Sequence, residues 1–109
     1  MTKAEKLFHQ IAQELPNAKE GKAFGVFCIK ASNGKLVALF WKNNLMFKLN
    51  KEDEKEALSL KGSHQGTHIY ASDRTMKGWV KVPFSHSSKW EEFAIKSIAH
   101  VMKKKYNNN

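Results

Sequence analysis

The run Phe24-Gly25-Val26-Phe27-Cys28-Ile29-Lys30, followed by Asn33-Gly34 and then Lys35-Leu36-Val37-Ala38-Leu39-Phe40-Trp41-Lys42, decides the fold. Its first part is rich in β-branched and aromatic residues, which suit a pleated surface. Asn-Gly between two apolar runs is a strong hairpin signal, because both positions accept the positive φ that a tight turn needs. The second strand presents Leu36, Ala38 and Phe40 on one face and Val37, Leu39 and Trp41 on the other. Both faces are apolar, so both must be covered, and the strand belongs in the middle of a sheet. Asn43-Asn44 predicts another tight turn into Leu45–Leu49. Three strands in this order form an antiparallel meander.

Helical signals lie on either side. Thr2-Lys3-Ala4-Glu5 has the form of a capping box. Leu7, Phe8, Ile11, Ala12 and Leu15 share one helical face, and Pro16 stops the helix at Leu15. After the meander, Asn50 can cap a helix from Lys51 to about Leu60, with Glu52, Asp53 and Glu54 at its electropositive start. Gly62 and Gly66 mark a loop, Ile69 and Tyr70 a short strand, and Ser72–Thr75 another loop. Met76–Val82 reads as the last strand, ended by Pro83. Ser88 and Glu91 form a second capping-box pattern. Trp90, Phe93, Ala94, Ser97, Ile98 and Val101 then line one face of a final helix. Lys103–Lys105 suit its negative end, and residues 106–109 are expected to fray. The predicted class is α+β: an antiparallel sheet flanked by helices in the order α-β-β-β-α-β-β-α. The 109 residues have room for one domain, 1–109.

Composition narrows the setting. Cys28 is the only cysteine, so no internal disulfide can form, and a reducing compartment is expected. Neither a signal-peptide pattern nor an apolar stretch long enough to span a membrane occurs, which predicts a cytoplasmic protein. The net charge is +9, which raises nucleic acid as a partner. The charge is nevertheless spread along the chain, and Arg74 is the only arginine among 19 basic residues. Arginine is the usual bidentate reader of phosphate and guanine, so a Lys-rich chain also fits a merely solvated surface.

A catalytic set is not legible. His64 and His68 are four apart, but Gly62 and Gly66 argue against a shared helical face and no acidic residue or cysteine nearby completes a metal site. Cys28 lies between Phe27 and Ile29 and reads as a small buried hydrophobe. The serines Ser85, Ser87 and Ser88 precede a helix, where capping explains them. No cofactor and no metal are expected. One stretch invites a functional reading. With period two, Lys77, Trp79 and Lys81 share a face of the last strand, opposite Met76, Gly78, Val80 and Val82. If that face is exposed, an aromatic ring between two cations can anchor a partner or stack on a base. If a helix covers it, Trp79 is core and the lysine stems pass around it.

The chain resembles the TfoX N-terminal-domain-like family over about residues 5–102. The likeness rests on Gly21-Lys22-Ala23-Phe24-Gly25-Val26 ahead of Cys28 and Lys30, on Asn33-Gly34-Lys35, and on Leu45-Met46-Phe47-Lys48. Its most distinctive piece is Met76-Lys77-Gly78-Trp79-Val80-Lys81-Val82-Pro83, with Trp90 following. It departs in having Ala23 where the family often has Met, and competence regulators of the family carry a second, helical domain that these residues do not include. The fold is also similar to that of secretion-chaperone-type proteins. The resemblance implies a non-enzymatic regulatory or protein-interaction domain whose partner is a protein, its own copy included. The alternative is a nucleic-acid-binding module using the basic face with Trp79.

Overall fold

The computed structural model describes residues Met1 to Lys103, the side chain of Ser72 aside. Lys104, Lys105 and the expected frayed tail at 106–109 lie outside the described residues. Helix α1 spans Lys3–Glu14, and strands β1 to β4 span Ala18–Ala23, Val26–Ala31, Leu36–Trp41 and Asn44–Lys48. Helix α2 covers Lys51–Leu58, and strands β5 and β6 cover His64–His68 and Ala71–Pro83. A short 3₁₀ segment, Phe84–Lys89, leads into helix α3, Trp90–Met102. The six strands form one sheet in the order β1-β2-β3-β4-β6-β5, and every pairing is antiparallel. The protein is thus α+β, with one strand more than the sequence pattern suggested.

The added strand is β1, Ala-Lys-Glu-Gly-Lys-Ala, which has no apolar alternation. Its place at the sheet edge explains why it needs none. It pairs with β2 along its whole length, from Ala18 opposite Ala31 to Ala23 opposite Val26. Phe24, expected in a strand, instead sits with Gly25 in the connecting turn at φ 54° and 77°. Two consecutive positive φ values match the twist of a two-residue hairpin. The β3–β4 turn is built the same way from Lys42 and Asn43, at φ 49° and 63°, one residue earlier than Asn43-Asn44.

The faces of β3 also differ from simple alternation. Ile29 lies opposite Ala38 but Lys30 lies opposite Leu36, so Val37 is an extra residue in a bulge. Val37, Ala38 and Phe40 therefore join the core beneath the helices, while Leu36, Leu39 and Trp41 face the other way. The bulged Val37 carbonyl accepts a hydrogen bond from the buried Ser97 hydroxyl at 2.9 Å, which ties α3 to the sheet.

The helices cover one face only. Phe8 and Ile11 of α1, Ala57 of α2 and Trp90, Phe93 and Val101 of α3 pack on Ile29, Leu45, Phe47, Val80 and Val82. Two of the expected caps form. The Thr2 hydroxyl accepts the Glu5 N–H at 3.1 Å, and the Asn50 side chain accepts the Asp53 N–H at 2.8 Å. The Ser88–Glu91 cap does not form. Ser88 lies inside the 3₁₀ segment, whose turn carries directly into α3, so it is not the extended residue that a capping hydroxyl requires. The buried Trp90 indole N–H instead donates to the Val82 carbonyl at 3.1 Å and fixes the helix start.

The other face is covered by the protein's own hairpin. The loop expected at Gly66 is part of strand β5, and the strand expected at Ile69-Tyr70 is the turn. Strand β6 runs from Ala71 and pairs with β4 only over Trp79–Pro83. Its distal half returns with β5 across the open side of the sheet. Ile69 and Met76 pack there against Cys28, Leu39, Met46 and Trp79. Residues 64–78 thus form a strap over a second, smaller core.

Candidate interaction surface

The last strand does not present Lys77, Trp79 and Lys81 as one exposed stripe. Gly78 adopts φ 86°, a conformation that a side chain rarely tolerates, and strand alternation breaks there. Gln65 pairs with Val80 but Thr67 pairs with Thr75, so β6 carries extra residues around this point. Lys77 is exposed, Lys81 is half-buried, and Trp79 is only 9% exposed. Met76, assigned by alternation to the face opposite Trp79, packs in the same cluster. What covers the tryptophan is the strap, not a helix. Gly66 lies so close that a Cβ on it would sit 2.7 Å from Trp79 Cβ. Gly66, expected to mark a loop, is instead the strand residue that lets the strap approach Trp79 this closely.

The exposed aromatic surface lies at another place, where the strap ends. The Tyr70 hydroxyl donates to the Phe24 carbonyl at 2.8 Å and fastens the strap tip to the β1–β2 turn. Both rings remain outside: Tyr70 is 79% and Phe24 54% exposed. The β3–β4 turn lies at the same end, and the Thr2 hydroxyl donates to Asn43 Oδ1 at 2.8 Å to hold the start of α1 there. Two lysines cap aromatic rings beside it, Lys22 over Phe27 and Lys42 over Trp41, each with Nζ 5.2 Å from the ring centroid. A hollow of about 240 Å³ opens between Glu5, Lys22, Phe27, Phe40, Trp41 and Lys42. This end, missed by the sequence reading, combines apolar rings with cations whose stems already rest on aromatic faces.

The titratable groups do different work. Cys28 is fully buried, and burial pushes its thiol above the ordinary value despite the opposing charge of Lys30. His9 Nδ1 meets Glu20 at 2.8 Å and Nε2 meets Glu5 at 3.6 Å, so it joins α1 to β1. A ring nitrogen of His86 lies 2.7 Å from the Lys61 carbonyl. His64 and His68 stand at the two ends of β5, opposite Lys81 and Ala71. Lys96 of α3 reaches Glu56 at 2.9 Å, Glu92 at 3.1 Å and Asp53 at 3.8 Å, which clamps α3 to α2. Among the described residues no three His, Cys, Asp or Glu converge as metal ligands, and no helix is long and apolar enough to cross a membrane. No protein-family model matches the chain, and no curated protein matches it either.

Proposed function

We propose that this chain is a small non-enzymatic regulatory or protein-interaction domain, acting in the cytoplasm, of the kind that the N-terminal domains of TfoX regulators exemplify. Its partner is a protein, its own copy included. The observation that carries this reading is the end formed by Phe24, Tyr70 and the Phe27 and Trp41 rings that Lys22 and Lys42 cap. Among the described residues six large hydrophobic side chains are exposed, and Met1, Phe24 and Tyr70 belong to this end. Exposed aromatic rings are enriched among the anchors of protein interfaces. The face of Lys77, Trp79 and Lys81 supports the reading less well, because its tryptophan is buried beneath the strap.

The test compares the wild-type domain with a Phe24→Asn/Tyr70→Ser double variant. Asparagine tolerates the positive φ of position 24, so the turn is kept while the ring is removed. Self-association is measured by sedimentation, and partner capture from nuclease-treated lysate is compared between the two proteins. Association lost in the variant at unchanged thermal stability supports the reading. Identical association and capture by both proteins refutes it.

A further inference from the structure

We propose that the opposite end of the sheet, where β1 starts and β2 ends, is a track for the phosphate backbone of a nucleic acid. The proposal is independent of the Phe24/Tyr70 end. Lys19 of β1 and Lys30 of β2 are direct cross-strand partners, and both lie on the side of the sheet away from the helices. Like charges placed opposite each other destabilise a strand pair, so an anion between them offsets a cost that the fold otherwise carries. The line continues across the strand ends. Lys35 precedes β3, Lys48 ends β4 on the same side, and Lys77 lies beside it on β6. The Lys48 ammonium sits 3.4 Å from the Lys77 carbonyl, a neutral partner. Lys103 follows α3 at the same end; there burial first, then Lys48, Lys103 and Lys35 against the opposing charge of Asp53, disfavour protonation of His100.

None of these six lysines forms an ion pair among the described residues, where only Lys89 and Lys96 among the lysines do so. Most of the acidic residues are elsewhere. Six of the ten, Glu52, Asp53, Glu54, Glu56, Glu91 and Glu92, lie in α2 and the first turn of α3. Glu5 and Glu20 engage His9. The net charge of +9 is therefore unevenly distributed, and this rim holds a large part of the unpaired excess. At its β1 end a hollow of about 660 Å³ is lined by Asn17, Lys19, Glu20, Lys30, Ser32 and Gly34.

The kind of anion follows from the layout. From β1 to β6 the line crosses five strands, about 19 Å at roughly 4.8 Å per strand gap. One strand of duplex DNA places about six phosphates over that length, at ~3.4 Å each. An extended, evenly charged polymer matches this line. A protein partner would need an apolar centre to desolvate, and the rim has only half-buried Leu36. Lysines act as point charges and not as bidentate forks, so the contact positions a backbone without reading sequence.

The experiment is fluorescence anisotropy of a labelled mixed-sequence DNA duplex with the whole chain over a series of salt concentrations. Lys30→Gln and Lys35→Gln should each weaken binding and lower the salt slope by about one unit, equally for a second duplex of unrelated sequence. Lys6→Gln on α1 removes the same charge from the helix side and should leave the slope unchanged. Thermal midpoints of all variants are measured alongside. Lys35 lies in an exposed turn, so its variant tests the track even if Lys30→Gln were unstable. Absence of salt-dependent binding overturns the proposal. So does an equal effect of Lys6→Gln, or equal slopes with poly-glutamate or with phosphatidylserine/phosphatidylcholine vesicles in place of DNA.

Discussion

Gly66→Ala places one methyl group where the strap crosses Trp79. The new carbon would lie 2.7 Å from Trp79 Cβ and 3.3 Å from both its carbonyl carbon and its oxygen. Carbon atoms pack at about 3.5–4.0 Å, so the two strands must part by about 1 Å. No change of rotamer relieves the contact, because every atom involved belongs to the backbone or is a Cβ. Forced insertion of a methylene into a packed site costs about 1–3 kcal/mol. We expect Gly66→Ala to lower the urea midpoint by that equivalent and to speed native labelling of Cys28, which the strap covers. The cost should persist in a Trp79→Ala background, since alanine keeps the offending Cβ. A loss under about 0.5 kcal/mol, the range of ordinary surface substitutions, would refute this packing of strap on sheet.

Other substitutions address the rest of the molecule. Phe93→Ala removes a fully buried ring from the core beneath the helices and should cost about 3–5 kcal/mol in denaturant unfolding. Trp79→Ala should destabilise by about 3 kcal/mol through loss of the second core, and a stable variant with altered binding would return Trp79 to the interface. Cys28 should react slowly with a thiol reagent in the native state and quickly in urea, as its buried, raised thiol requires; fast native labelling at neutral pH contradicts this. Burial, with Lys48 and Lys103 nearby, holds His100 below its ordinary value of 6.5. The unfolded chain then binds the proton first, so stability present above about pH 6.5 is lost as pH falls toward the lower native value. Thermal midpoints measured against pH should show that loss, and His100→Gln should flatten it.

The sequence signals that held were local ones with a single mechanism. The caps at Thr2 and Asn50 and the Asn33-Gly34 hairpin depend on side chains acting within three residues, and each formed, the hairpin through a four-residue connection with Gly34 alone of the pair at positive φ. The final helix kept its phase because Trp90, Phe93, Ala94, Ser97 and Val101 are large or buried enough to define one face. What was not legible depended on tertiary context. Strand β1 has no apolar alternation because it is an edge, and it exists because β2 offers it hydrogen bonds. The proposed Lys77/Trp79/Lys81 face assumed an unbroken period of two. One glycine at φ 86° ended that period, and residues 66–76, folded back over the sheet just ahead of Trp79, buried the ring. The Phe24/Tyr70 end could not be seen either, since its two rings are brought together across 46 residues of sequence.

That same 46-residue separation sets an order of events. The meander from β1 to β4 closes through loops of two to four residues, which cost little chain entropy and form early. The strap completes its site only after β6 has docked on β4, because Trp79 of β6 is part of the surface it lies on. Among the described residues its tip is fastened to the β1–β2 turn by one exposed side-chain hydrogen bond, from Tyr70 to the Phe24 carbonyl. Native-state hydrogen exchange should therefore divide the molecule, with amides of residues 67–76 opening sub-globally while those of β3 and β4 exchange only with full unfolding. Two cooperative units of unequal stability are the expected result. The weaker one exposes Cys28, Leu39 and Met46 each time it opens, which makes strap opening the step at which this fold is vulnerable to proteolysis and to pairing with another unfolding chain.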